Sequence, residues 1–415
     1  MQSQQSMIRQ LLAHSTQQDM PGPAAGIRIR PDVLILDAAA AGMLYSLAES
    51  ERISLPVYVI DNQLPLEGNP GPELIAALQK RGIPYLSAAR GGVPALVAAE
   101  EGLAFPGALI ATTIPGLSEL GVLGAMVLRP DPDSIAGLLR SGDLEIAVPD
   151  TVSIELRSLP GEWTDGIDIA LALIKYYELP KDKSAFLEFS GEGLHALSLA
   201  DRHKLLRTLE DLGYPNLLCQ VDDQCMTFLQ DRSTGEAQIC FPVEKADINV
   251  DLSGITPMLA WKVGPALQIG GLTDKDALPV QQVIIGGDTA CRYEDFEAGL
   301  KLIRYRMLPE YMNACLLPGS QLVHGDLLDM GIAGIFTEIG FQIFPTAFQS
   351  QLKRFPDLQR TRMSTSAAIL ENGGYLAGSL SCFTAAMTGM IMHPMEMENL
   401  LKNEEEKHSH HEPEA

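Results

Sequence analysis

Carboxylates, a hydroxyl, a thiol and a guanidinium crowd the stretch Gly286-Gly287-Asp288-Thr289-Ala290-Cys291-Arg292-Tyr293-Glu294-Asp295. The apolar run Val283-Ile284-Ile285 before it reads as a short buried strand. Phe296 to Ile303 after it carries apolar residues at helical spacing. A strand, a small-residue turn and a helix start make an anion cradle, because backbone N–H groups face outward and the helix N-terminus favours negative charge. Thr289 and Arg292 are therefore candidate ligand-binding residues. Asp288 suits either a hard-metal ligand or a helix N-cap. Cys291 beside Arg292 suits either a low-pKa thiol or a small buried side chain. A second hydroxyl cluster, Ser364-Thr365-Ser366, suits an anion cradle or a turn, which adds Ser364 and Ser366 to the candidates.

The elements that must position these groups are α/β in pattern. Val33-Leu34-Ile35-Leu36, Val57-Tyr58-Val59-Ile60 and Ala108-Leu109-Ile110-Ala111 read as buried strands. Helical patterns over 38–48 and 72–81 alternate with them, as in a mainly parallel sheet covered on both faces. Ligands on such sheets collect at strand carboxyl ends, here Asp37, Asp61 and Thr112-Thr113. A second unit opens with an alternating strand over 148–156 and a helix through Lys175, with Thr164 or Asp165 as its cap. The expected division is a flexible leader over 1–26, α/β domains over 27–149, 150–275 and 276–398, and a disordered acidic, His-rich tail over 399–415.

Composition excludes several function classes. The 415 residues are 46% hydrophobic and carry a formal charge of −23, which argues against nucleic acid and anionic membrane surfaces. No apolar run is long enough to span a membrane and no signal peptide is recognisable. Six cysteines without C-x-x-C spacing fit a reducing, cytoplasmic setting.

The turn after Ile285 resembles the Gly-Ser-Cys-Thr-Asn signature of the aconitase and isopropylmalate dehydratase large-subunit superfamily, with Asp288 where that family has a cluster cysteine. Gly102-Leu103-Ala104-Phe105-Pro106-Gly107, Phe186-Leu187-Glu188-Phe189-Ser190-Gly191, Pro318-Gly319-Ser320-Gln321, Met363-Ser364-Thr365-Ser366 and Tyr375-Leu376-Ala377-Gly378-Ser379 extend the resemblance over about residues 30 to 395. It implies three α/β/α domains, with the swivelling fourth domain on another chain. It also implies dehydration and rehydration of a hydroxy-carboxylate at a [4Fe–4S] cluster, with Glu188 matching an active-site Glu.

Departures from that pattern set the functional expectation. Asp288, Phe348 and Gln351 stand at the three cluster-ligand positions, and none is a soft thiolate. Family histidines are missing around Asp61-Asn62-Gln63 and Thr112-Thr113, and Ala368 stands at a carboxylate-clamp position. The expectation is a chain with no [4Fe–4S] cluster and no resident cofactor, a non-catalytic binder of a small carboxylate or a protein partner such as a small swivel-domain subunit. The alternatives are a scaffold for an active homologue and a cluster-free lyase or isomerase using Glu188, Asp61 and Asp288, with or without a divalent metal.

Overall fold

The computed structural model describes residues 6–17, 20–46, 53–60, 71–86, 92–232, 235–304, 306–344 and 361–409. The chain divides into two compact units, Met1–Leu159 with Tyr177–Ser253, and Pro160–Tyr176 with Gly254–Ala415.

The first unit holds β1 (Gly26–Ile29), β2 (Val33–Leu36), β3 (Val57–Ile60), β4 (Tyr85–Leu86), β5 (Leu109–Thr112), β6 (Met126–Leu128), β7 (Leu144–Ala147), β8 (Thr151–Arg157), β9 (Phe186–Ser190), β10 (Leu217–Cys219) and β11 (Ile248–Asp251). A parallel sheet runs in the order β4-β3-β2-β5-β6, and a second parallel sheet in the order β10-β9-β8-β11. Every residue of β2, β5 and β9 is buried, as central strands covered on both faces must be. The helix expected over 38–48 starts on cue, with the Asp37 carboxylate accepting the Ala40 N–H at 2.6 Å. It ends at Ala41 and tightens into a 3-10 turn, Gly42–Ser46, where a glycine weakens the α-helix.

The segment expected to be a flexible leader contains helix α1 (Met7–Thr16). Met7, Ile8, Leu11 and Leu12 are all buried in a core cluster with β2, β3, Phe186 and Leu218. Their spacing puts them on one helix face, and each fully buried side chain of this size contributes roughly 1.5–3 kcal/mol. That stripe outweighs the polar Gln and Ser content on which the leader expectation rested.

The second unit is built on one mixed sheet of seven strands: β12 (Met258–Val263), β13 (Ala266–Gly271), β14 (Gln282–Gly286), β15 (Asn313–Leu317), β16 (Gln342–Ile343), β17 (Arg362–Ser364) and β18 (Tyr375–Ala377). Its order is β13-β12-β18-β17-β14-β15-β16, parallel from β18 to β16 and antiparallel around β12. Helix Gly166–Tyr176 belongs to this unit although its neighbours in sequence do not. Helix Pro394–Ser409 runs into the segment expected to be a disordered tail, with Glu398 and Lys402 paired one turn apart at 3.1 Å. No helix among the described residues is long and apolar enough to cross a membrane.

Candidate functional site

Glu188 sits at the centre of β9, paired in register with Ser153 of β8 and Leu218 of β10. It is 1% exposed. Its two oxygens are spent on α1. Oε2 accepts the Met7 N–H at 3.0 Å and Oε1 the Ile8 N–H at 2.8 Å. The first N–H groups of a helix have no partner within it, and the N-terminal end of the helix dipole is positive. A carboxylate from another element answers both needs. Ser6 caps the same end, its hydroxyl accepting the Arg9 N–H at 3.4 Å. Burial pushes the Glu188 pKa above the ordinary carboxylate value; the bonds from Ile8, Met7 and Ser6 oppose that shift, and the Asp247 charge adds to it.

Two further attachments hold α1. The Gln10 side chain donates to the Phe241 carbonyl at 2.7 Å and accepts the Phe241 N–H at 3.1 Å. The Arg9 guanidinium donates to the Met20 and Pro21 carbonyls. Cys240, next to Phe241, packs against the same core cluster, and burial followed by the Glu188 charge pushes its thiol up to about 11. A polar cleft of about 300 Å³ opens beside Ser6, lined by Thr151, Ser153, Val243, Glu244, Lys245 and Asp247. Asp247 is fixed there, accepting the Ser153 N–H and hydroxyl, each at 2.8 Å.

In the second unit the turn after β14 is shaped by three left-handed residues, Gly286 (φ 96°), Gly287 (φ 95°) and Ala290 (φ 53°). A Cβ on Gly286 would lie 2.2 Å from the Leu317 carbonyl oxygen, so only glycine fits. Helix Tyr293–Ile303 follows, and Arg292 is its N-cap. The N-cap reading of Asp288 is thereby corrected: the helix begins four residues later, and Asp295 reaches back to accept the Arg292 N–H at 3.0 Å. Thr365 ties this turn to β17: its hydroxyl accepts the Gly286 N–H at 3.0 Å and donates to the Thr289 carbonyl at 3.2 Å. Ser364 and Ser366 are buried and their oxygens accept the N–H groups of Ser366 and Ala368, which is turn chemistry. Cys291 is buried, and its carbonyl accepts the Gly319 N–H. The Thr289 hydroxyl is buried without a hydrogen-bond partner among the described residues.

Thr289, Arg292, Ser364 and Ser366 thus lie at or just beyond the carboxyl ends of the adjacent parallel strands β14 and β17, whereas Glu188 belongs to the first unit. Asp61, Phe348 and Gln351 lie outside the described residues. Sequence reasoning did not find a buried carboxylate knot in the second unit. Asp165 accepts from the Ile167 N–H and from the Ser379 N–H and hydroxyl, while Asp168 accepts from the Asp165 and Met258 N–H groups. Asp165 was visible as a cap; its partners some 214 residues away were not.

Comparison with known proteins matches residues 72–276 to the aconitase family (aconitate hydratase) model. The 3-isopropylmalate dehydratase large subunit 2 of Rubrobacter xylanophilus is 25% identical over 81% of this chain and 82% of its own length. The 3-isopropylmalate dehydratase large subunit of Acetivibrio thermocellus is 24% identical, and the match covers 60% of each chain. Among solved structures, aconitase X of Thermococcus kodakaraensis in its holo-form aligns over 95% of both chains at 13% identity, with a TM-score of 0.46.

The expectation of no [4Fe–4S] cluster and no resident cofactor is overturned by these matches, since aconitases and isopropylmalate dehydratases normally bind such a cluster and this chain keeps six cysteines. That expectation rested on Asp288, Phe348 and Gln351 at the ligand positions, together with the missing family histidines and Ala368. Among the described residues, however, no three His, Cys, Asp or Glu side chains are grouped to hold a metal. Burial pushes the thiols of Cys315 and Cys382 up.

Proposed function

We propose, from its likeness to the aconitase family and to 3-isopropylmalate dehydratase large subunits, that this chain is a member of that superfamily which binds a small carboxylate or a protein partner without using Glu188 for dehydration chemistry. The observation that carries the reading is the occupation of both Glu188 oxygens by α1. A general acid or base must reach the proton it moves, and Glu188 is 1% exposed with its lone pairs aimed at backbone N–H groups. The turn from Gly286 to Ala290 supplies the anion site: a strand end, a following helix start and the buried Thr289 hydroxyl. Ser364 and Ser366 shape its floor through Thr365. Relatives bearing the name large subunit support a companion small subunit as the protein partner. Six cysteines, none in a disulfide, support a reducing, cytoplasmic setting.

The test uses full-length protein after anaerobic treatment with iron and sulfide, so that any cofactor it takes is present. Calorimetry with malate-type hydroxy-dicarboxylates is expected to show binding that Thr289→Val weakens. Ultraviolet assays for the alkene product are expected to stay at background. Turnover abolished by Glu188→Gln would overturn the reading.

A further inference from the structure

Helix α1 is held almost wholly by side-chain attachments. Its backbone joins no sheet ladder, and at 10 residues it is shorter than a helix that persists alone in water. The attachments are few: Glu188 at its first turn, Gln10 on the Phe241 backbone, Arg9 on the Met20 and Pro21 carbonyls, and four buried apolar residues. The chain leaves it through the bend Pro21-Gly22-Pro23, and Ala24 beyond is anchored by its N–H to the Val148 carbonyl.

We propose that α1 is a releasable cover over Glu188, which swings away as a unit about the Pro21–Pro23 bend while β8, β9 and β10 stay folded. Opening returns the carboxylate to water and joins it to the polar cleft of Thr151, Ser153 and Lys245, from which Ser6 departs with the helix. The desolvation that docking imposes on Glu188 is recovered on release, so the docked and open states lie closer in energy than the apolar contacts alone would place them. Cys240 reports the motion, because it packs against the cluster that α1 completes while the other five cysteines are buried.

Native-state hydrogen exchange on the full chain tests this, with no substrate needed, so its result is separate from that of the turnover assay. Amides of residues 11–16 are expected to exchange at least about tenfold faster than those of β9. Gln10→Ala, which removes the Phe241 attachment, is expected to speed α1 exchange several-fold and leave β9 unchanged. Iodoacetamide modification of Cys240, assigned with Cys240→Ser, is expected to accelerate by the same factor. Exchange of α1 and β9 at one common rate, or a Cys240 rate indifferent to Gln10→Ala, would overturn the proposal.

Discussion

Glu188 and the Asp288 turn are both places where a polar group was expected to do chemistry, and they are built in opposite ways. Around Glu188 every important partner is remote in sequence: Met7 and Ile8 stand 181 and 180 residues away. Around Asp288 much of the geometry is local, set by left-handed residues and by Asp295 reaching back three positions. Thr365 is the long-range exception there. A site fixed by local conformation is rigid whatever the rest of the chain does. A site fixed by docking of one helix is only as closed as that helix is docked.

Substitutions can break this contrast. The largest loss is expected from Gly286→Ala, which forces a Cβ into the Leu317 carbonyl at an unfavourable φ. It should cost on the order of 3 kcal/mol, read as a lowered urea midpoint. Glu188→Ala comes next, at about 2–3 kcal/mol, because two buried N–H groups lose their acceptor. Local control at the turn would be refuted if Glu188→Ala destabilised the protein more than Gly286→Ala. Thr365→Val removes one acceptor and one donor and should cost about 1–2 kcal/mol.

A smaller effect concerns pH. The folded-state pKa of Glu188 lies above 4.5 because the group is buried, so the folded chain binds this proton more readily than the unfolded chain. Its contribution to stability therefore grows as pH falls through the folded pKa towards 4.5, and is least favourable once the group is ionised. Wild type is expected to gain on Glu188→Gln as the solution is acidified over that window. A difference that stays flat would place the carboxylate in a better solvated setting. The smallest change is expected from Ala290→Gly, a gain of up to about 1 kcal/mol from relieving φ 53°.

Much of the fold was legible. Val33–Leu36, Val57–Ile60 and the strand before Gly286 announced themselves as unbroken apolar runs between turn residues, and the structure places β2, β3 and β14 there. The helix after Asp288 was legible in periodicity, but its start was misjudged because Ala290 turns left-handed and delays it. The apolar spacing of Met7, Ile8, Leu11 and Leu12 was in plain view, yet periodicity says that a face is buried and not against what. Glu188 was singled out through family resemblance. Nothing in the residues around it signalled that its partners would be amides near the other end of the first unit. The Asp165 and Asp168 knot was hidden for the same reason, since a cap motif does not reveal Ser379 or Gly378, whose Cβ would lie 2.7 Å from an Asp168 oxygen.

The separation of 181 residues between Met7 and Glu188 also bears on the order in which the molecule is made. On the ribosome α1 emerges long before β9 exists, and a helix of this length does not hold its shape unaided. Closing so long a loop is among the slower steps open to the chain. Helix α1 is therefore expected to be among the last elements of its unit to find its seat, and until then its apolar stripe is available to chaperones.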